Sequence, residues 1–259
     1  MNSEQVAATI AALLLLAQPV SGFAQERLPN LRVKGKTPCQ IHPESAMETA
    51  NLWAAAQETL ESATAKDSAP PTLLVREWRR TLDFAFRLRY EYSDTSVIRT
   101  RKPFEKPAPG NLERVGYIQR QGWSTVYYGP DAGLLLSERF LRQHCFRRIE
   151  GEGATAGLAG LAFTPLPGTD RPDVTGVLWV DPVRGGLRSV EYTWINAPEE
   201  ARAPGIGGRA DFARLGSGGW IVQRWNIRMA RPESGSWRNF DGYTDQGGEV
   251  LAVLGTARL

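Results

Sequence analysis

Two β-hairpins between Gly157 and Met229 constrain this chain more than any other feature. Val177–Val180 and Leu187–Trp194 flank Asp181-Pro182-Val183-Arg184-Gly185-Gly186. Ala210–Leu215 and Trp220–Met229 flank Gly216-Ser217-Gly218-Gly219. Runs rich in β-branched and aromatic residues, bounded by Pro and Gly, are the signature of antiparallel strands joined by tight turns. The rest of the chain has to supply neighbours for these strands.

Ahead of them, Ser45-Ala46-Met47-Glu48 has the form of a capping box, in which the Ser and Glu side chains satisfy each other's backbone amides. Met47, Ala50, Trp53, Ala54, Gln57 and Leu60 or Glu61 then recur at helical steps, and Pro70-Pro71 stops the helix. Leu82–Tyr92 alternates apolar and polar residues and reads as one strand with a wet face. Val115–Arg120 and Trp123–Tyr128 read as a hairpin turning at Gln121-Gly122, and Ser137 as the cap of a short helix reaching Phe146. Strands at Arg238–Thr244 and Glu249–Leu254 close the count at about ten. The expected fold is mainly β, a β-rich α+β arrangement. A curved antiparallel meander sheet, or half-barrel, has the N-terminal helix packed on or inside its curve.

The first residues set the compartment. An apolar run, Val6–Ala17, precedes Ser21-Gly22-Phe23-Ala24, where small residues suit cleavage before Gln25. The expectation is a signal peptide over 1–24, an extended arm over 25–43 and a single domain over 44–259. An uncleaved N-terminal anchor is the alternative, although the run falls short of the ~20 residues a spanning helix needs. Cleavage removes one acid, Glu4, and no base, so the formal net charge goes from +3 to +4. That excess lacks the concentrated basic stripe of a nucleic-acid binder. The mature chain is expected to be periplasmic or secreted, free or associated with the outer membrane, and to have no further transmembrane span.

Cys39 and Cys145 are the two cysteines. In an oxidising compartment they pair most simply as one disulfide. Two free thiols, or metal ligands with His144 or His42, are the competing readings; neighbouring residues such as His144 and Cys145 rarely ligate one tetrahedral ion together. No cofactor or metal is expected.

Catalytic signatures fail one by one. Gly151–Gly157 and Gly205–Gly208 lack the spacing and βαβ context of a phosphate loop. There is no G-x-S-x-G elbow and no zinc-peptidase His pattern. A hydrolase using an Asp/Glu pair needs only two carboxylates about 5–10 Å apart, and Asp170, Asp173, Asp181, Glu191 and Asp211 are the midsheet candidates. The strand aromatics remain. Trp53 on the helix and Tyr127, Trp179, Trp194 and Trp225 on strands are the candidate lining of a pocket for an acyl chain or other apolar ligand.

Several segments resemble a known family: FLRQHCF (Phe140–Phe146), GLAFTPLPGTDRPDVTGVLWVD (Gly160–Asp181), LRSVEYTW (Leu187–Trp194) and GGWIVQRWNIRM (Gly218–Met229). They are similar to the C-terminal domain of secreted bacterial proteins named "carboxypeptidase regulatory-like domain-containing protein". Leu28–Leu60 and Tyr127–Ala132 fit the same domain. The transthyretin-like sandwich that begins such proteins has no counterpart here, and the resemblance implies no peptidase activity. The layout is also similar to the half-barrels of periplasmic lipoprotein carriers, which by itself says nothing of function. The leading expectation is a non-enzymatic binding protein for a lipid or an envelope protein. A structural or adaptor domain of the envelope is the first alternative and an Asp/Glu-pair envelope hydrolase the second. A continuous apolar pocket under the helix favours the first reading; a filled core counts against it.

Overall fold

The computed structural model describes residues 39, 43–65, 70–104, 112–122, 124–203, 205–233 and 239–256. The expected signal peptide, and the expected arm apart from Cys39 and Pro43, lie outside the described residues. The elements run α1 (Pro43–Thr64), β1 (Pro71–Leu82), β2 (Leu88–Arg99), α2 (Leu112–Val115), β3 (Ile118–Gln121), β4 (Ser124–Tyr127), α3 (Ala132–Leu135) and α4 (Glu138–Gln143). They continue with β5 (His144–Glu150), β6 (Ala159–Pro165), β7 (Asp173–Val180), β8 (Leu187–Ile195), β9 (Gly207–Arg214), β10 (Trp220–Pro232) and β11 (Phe240–Thr256). Short 3₁₀ turns fall at Gly153–Thr155 and Glu199–Arg202.

Nine strands form one antiparallel sheet in the order β2-β1-β11-β10-β9-β8-β7-β6-β5, and β3 and β4 form a separate hairpin. From β5 to β11 the sheet is a plain meander. The β1–β2 hairpin then docks beside β11, joining the beginning of the domain to its end. The sheet is not closed; β2 and β5 are its edges. The fold is mainly β, with α1 packed on the sheet.

α1 touches β5, β6, β7, β8 and β10. A helix of 22 residues is about 33 Å long, and strands lie about 4.8 Å apart, so α1 lies across the strands. Its buried side is Leu52, Ala56, Thr59, Leu60 and Ala63. This stripe is rotated from the one expected around Trp53, which is half-buried at the border, while Met47 is exposed. In a helix so rich in Ala, the larger Leu52 and Leu60 decide which side faces the sheet. Two polar contacts fix the helix. Thr59 Oγ1 accepts from the Leu187 amide at 2.9 Å, and Ser62 Oγ accepts from the Trp220 amide at 2.9 Å. Under the helix, Leu161, Phe163, Leu178 and Val190 join Phe140 and Tyr117 in one core.

The opposite face is built differently. One register row crosses seven strands: Ala162, Val177, Glu191, Arg209, Asn226, Gly247 and Trp78. Two tryptophans on this face each pack against a glycine of the adjacent strand. A Cβ on Gly160 would meet Trp179 at 2.7 Å, and one on Gly247 would meet Trp78 at 2.4 Å. Each indole donates to a buried carboxylate, Trp179 to Glu191 at 3.2 Å and Trp78 to Asp245 at 3.1 Å. Arg209 holds the first carboxylate and Arg228 the second, at 2.8 Å. Buried carboxylates survive only when paired in this way.

Several expected elements differ in the structure. Leu82–Tyr92 is not one strand. The chain reverses at 83–87, because the Asp83 carboxylate accepts from the Ala85 and Arg87 amides, each at 2.9 Å. Asp83 also pairs with the Arg87 and Arg89 guanidinium groups at 2.8 and 2.7 Å. A register slip between Thr81 and Leu82 then sets Leu88 opposite Leu82. The short helix capped by Ser137 forms but ends at Gln143, and His144–Phe146 belong to β5. The two strands expected after Gly235 are one long β11, in which Gly247 and Gly248 leave room for aromatic rings and do not turn the chain. Cys39 and Cys145 form a disulfide with a Cα–Cα distance of 5.2 Å, tying the segment before α1 to edge strand β5.

Candidate functional site

The hairpin turn at 83–87 also builds a cleft. Phe86 sits at φ 59°, a left-handed conformation held by its amide donating to the Asp83 carbonyl at 2.9 Å. This turn lays two rings against Tyr243. Phe86 stacks on it at 4.5 Å and Phe84 meets it edge-on at 6.0 Å. The Arg228 guanidinium covers Phe86 at 5.3 Å, within cation–π range. The Arg87 amide does most to hold the Asp83 carboxyl below the usual carboxylate range; the Arg87 guanidinium and the Ala85 amide add to it, against an opposing desolvation.

Opposite the turn stands the 3₁₀ segment Glu199–Arg202, braced by Arg202 Nε donating to the Ala197 carbonyl at 2.7 Å. Ala230 and Gly242 lie between, in register beside Tyr243 and Arg231. The cleft is open to solvent and holds about 410 Å3, with Phe84, Phe240 and Tyr243 as its aromatic members and Glu199 and Arg202 as its charges. Burial raises the Tyr243 hydroxyl above the usual phenol range. Phe84 is 62% exposed although it borders the cleft. The volume lies within the range of small-ligand sites. Apolar walls with one cation and one anion suit an apolar group and provide no nucleophile–base pair.

The five aromatics expected to line a pocket take several positions. Tyr127 and Trp194 meet at 5.2 Å in the helix-side core, where the Trp194 indole donates to the Tyr128 carbonyl at 2.9 Å. Trp53 packs on Phe146 at 5.8 Å, and Trp225 lies 6.3 Å from Phe104. Trp179 is on the opposite face of the sheet. Among the carboxylate candidates, Glu191 and Asp211 come together while the others fall in separate surroundings. Asp173 is buried beside His144 Nε2 at 3.4 Å and Arg171 at 3.3 Å. Asp181 accepts from two turn amides, Val183 at 3.0 Å and Arg184 at 2.9 Å. Glu191 and Asp211 share Arg209, and Asp170 lies in the loop before β7. His144 is packed on Phe140 at 3.9 Å, with its ring nitrogens against the Phe140 and Val174 carbonyls at 3.0 and 3.3 Å. Among the described residues there is no metal-holding cluster of His, Cys, Asp and Glu, and no helix long and apolar enough to cross a membrane.

The cleft was not visible in the sequence because its residues come from three distant segments. Phe84 and Phe86 were read there as strand residues, because the alternation over Leu82–Tyr92 runs unbroken through the turn at Asp83.

Fold and site together define an open, mainly β sheet with one helix across it and an aromatic cleft beside its β1–β2 hairpin. Comparison with protein-family models, curated proteins and solved structures gives no match.

Proposed function

We propose that this protein is a non-enzymatic binding domain of the cell envelope, working outside the cytoplasm. It takes an apolar group, the end of an acyl chain or an apolar side chain of an envelope protein, into the cleft lined by Phe84, Phe240 and Tyr243. The observation that carries this reading is the aromatic-walled space of about 410 Å3 with Phe84 exposed at its border. The disulfide supports a location in an oxidising compartment. The core beneath α1 is occupied by the protein's own side chains, which counts against a ligand pocket under the helix, so the reading rests on the outer cleft. Glu191 and Asp211, the nearest approach to a carboxylate pair, are both held by Arg209, which weighs toward binding and against hydrolysis.

Titration calorimetry with dodecanoate and with N-acetyl-phenylalanine amide tests the proposal. Saturable binding of either at one site, abolished in Phe84→Asp while the circular dichroism spectrum is kept, is the expected result. Binding that Phe84→Asp leaves unchanged, or no saturable binding of either probe, overturns it.

A further inference from the structure

We propose that the outer edge of β2 is a docking site for an extended, acid-flanked segment of a partner protein, which adds to the sheet as a further strand. This goes beyond the cleft and stands without its ligand. β2 pairs with β1 along its whole length, from Arg99 opposite Thr72 to Leu88 opposite Leu82, and among the described residues with no other strand. Its 12 residues make an edge about 40 Å long. Natural sheets blunt such edges with short strands, proline, bulges or charged side chains; of these β2 has along its length only the charges of Arg89, Glu91, Asp94 and Arg99, three of them exposed, which restrict what can pair with it. Leu88–Arg99 contains no proline, and its one register slip lies at the Leu88 end. A row of backbone donors and acceptors of this length specifies another strand as its occupant.

The side chains bear this out. Every β2 residue is exposed except Glu91 and Ile98, which are half-buried. Tyr90 and Tyr92 stand 64% and 62% exposed on one face, and Val97 58% exposed on the other. Alternating apolar side chains on an open edge are what an added strand packs against.

Charge decides between a second copy and a different partner. Two copies paired antiparallel about a two-fold axis through the sheet oppose residues that share a face. The registers that use the whole strand bring Arg87 opposite Arg99, or Arg89 opposite Arg99 together with Asp94 opposite Asp94. Like charges directly opposite are destabilising. At one end the exposed Arg87 and Arg89 both pair with Asp83, and at the other Arg99 is exposed. A strand with apolar or β-branched residues in its middle and acids at both ends complements this edge.

The probe is a fluorescently labelled peptide of alternating Val and Thr with Asp pairs at both ends, against the full chain. Its counterpart carries Lys in place of Asp. The Asp-flanked peptide is expected to slow hydrogen exchange at alternate β2 amides and to bind at least about tenfold more tightly than the Lys-flanked one, a preference that weakens with salt. The double variant Tyr90→Glu with Tyr92→Glu, at exposed positions that leave the unfolding midpoint in place, removes the rings and opposes the acids of the peptide, and is expected to lose this binding. Equal binding of both peptides, or no slowing of β2 exchange, overturns the proposal. A dimer of the chain alone that the double variant abolishes in sedimentation assigns the edge to a second copy and also overturns it.

Discussion

Strands β7 and β2 belong to the same antiparallel sheet and have opposite fates. All eight residues of β7 are buried, whereas β2 has two half-buried residues and the rest exposed. β7 has a neighbour on each side. Val174, Leu178 and Val180 face the core beneath α1, and Val177 and Trp179 are covered on the other face by Ala162, Ile149 and Leu158. β2 has one neighbour and no helix. Burial here follows a strand's place in the sheet, since even Asp173 and Thr175 of β7 are buried while Tyr90, Tyr92 and Val97 of β2 are exposed. The helix-covered half is a scaffold. The half formed by β2, β1 and β11 presents a cleft and an edge.

The contrast predicts a graded set of effects. Replacing both Cys39 and Cys145 by Ser removes a crosslink between residues 106 apart at the covered end, and is expected to cost about 4–5 kcal/mol, read as a lower urea midpoint. Asp245→Ala strips the partner from buried Arg228 and from the Trp78 indole. It should cost about 3–5 kcal/mol in the same assay, showing that the outer face depends on its ion pairs. Leu178→Ala, on the helix side of β7, is expected to cost about 2–5 kcal/mol.

Alkaline titration gives a further test. Burial raises the hydroxyls of Tyr192 and Tyr243. Unfolded tyrosines ionise near pH ~10 while these two keep their protons, so the unfolded state binds fewer protons and stability falls as pH rises through ~10 and above. Phenolate absorbance should therefore show the last of the seven tyrosines ionising only as the protein unfolds. The smallest effect belongs to the bare edge. Tyr92→Thr should change stability by less than about 0.5 kcal/mol, because its ring is mostly in water. A loss comparable to that of Leu178→Ala would erase the distinction between the two halves.

Much of the covered half was legible in the sequence. The β7–β8 and β9–β10 hairpins follow their Pro- and Gly-bounded runs. The Ser137 side chain caps its helix, accepting from the Phe140 amide at 3.1 Å. The bare half was less legible for physical reasons. β1 went unread because Arg76, Glu77, Arg79 and Arg80 interrupt its apolar pattern; Arg76 and Arg80 lie over Trp78 at 5.8 and 4.9 Å and pair with Glu91 across the strand. Leu82–Tyr92 misled because alternation reports the pleat of a strand and not what covers it, and because Asp83 turns the chain in its midst. The strands expected at Arg238–Thr244 and Glu249–Leu254 are one because Gly247 and Gly248 continue the strand beneath Trp78 and Phe104, residues far away in sequence. The cleft shares that difficulty, since Phe84, Phe240 and Tyr243 meet only after β1 pairs with β11.

The most direct measurement is residue-resolved hydrogen exchange of the free protein, comparing β7 with β2. A covered scaffold with an open edge predicts that β7 amides exchange only through global unfolding. Alternate β2 amides, those pointing away from β1, should exchange orders of magnitude faster. Uniform protection along β2 would mean that its edge is already paired, and would contradict the account.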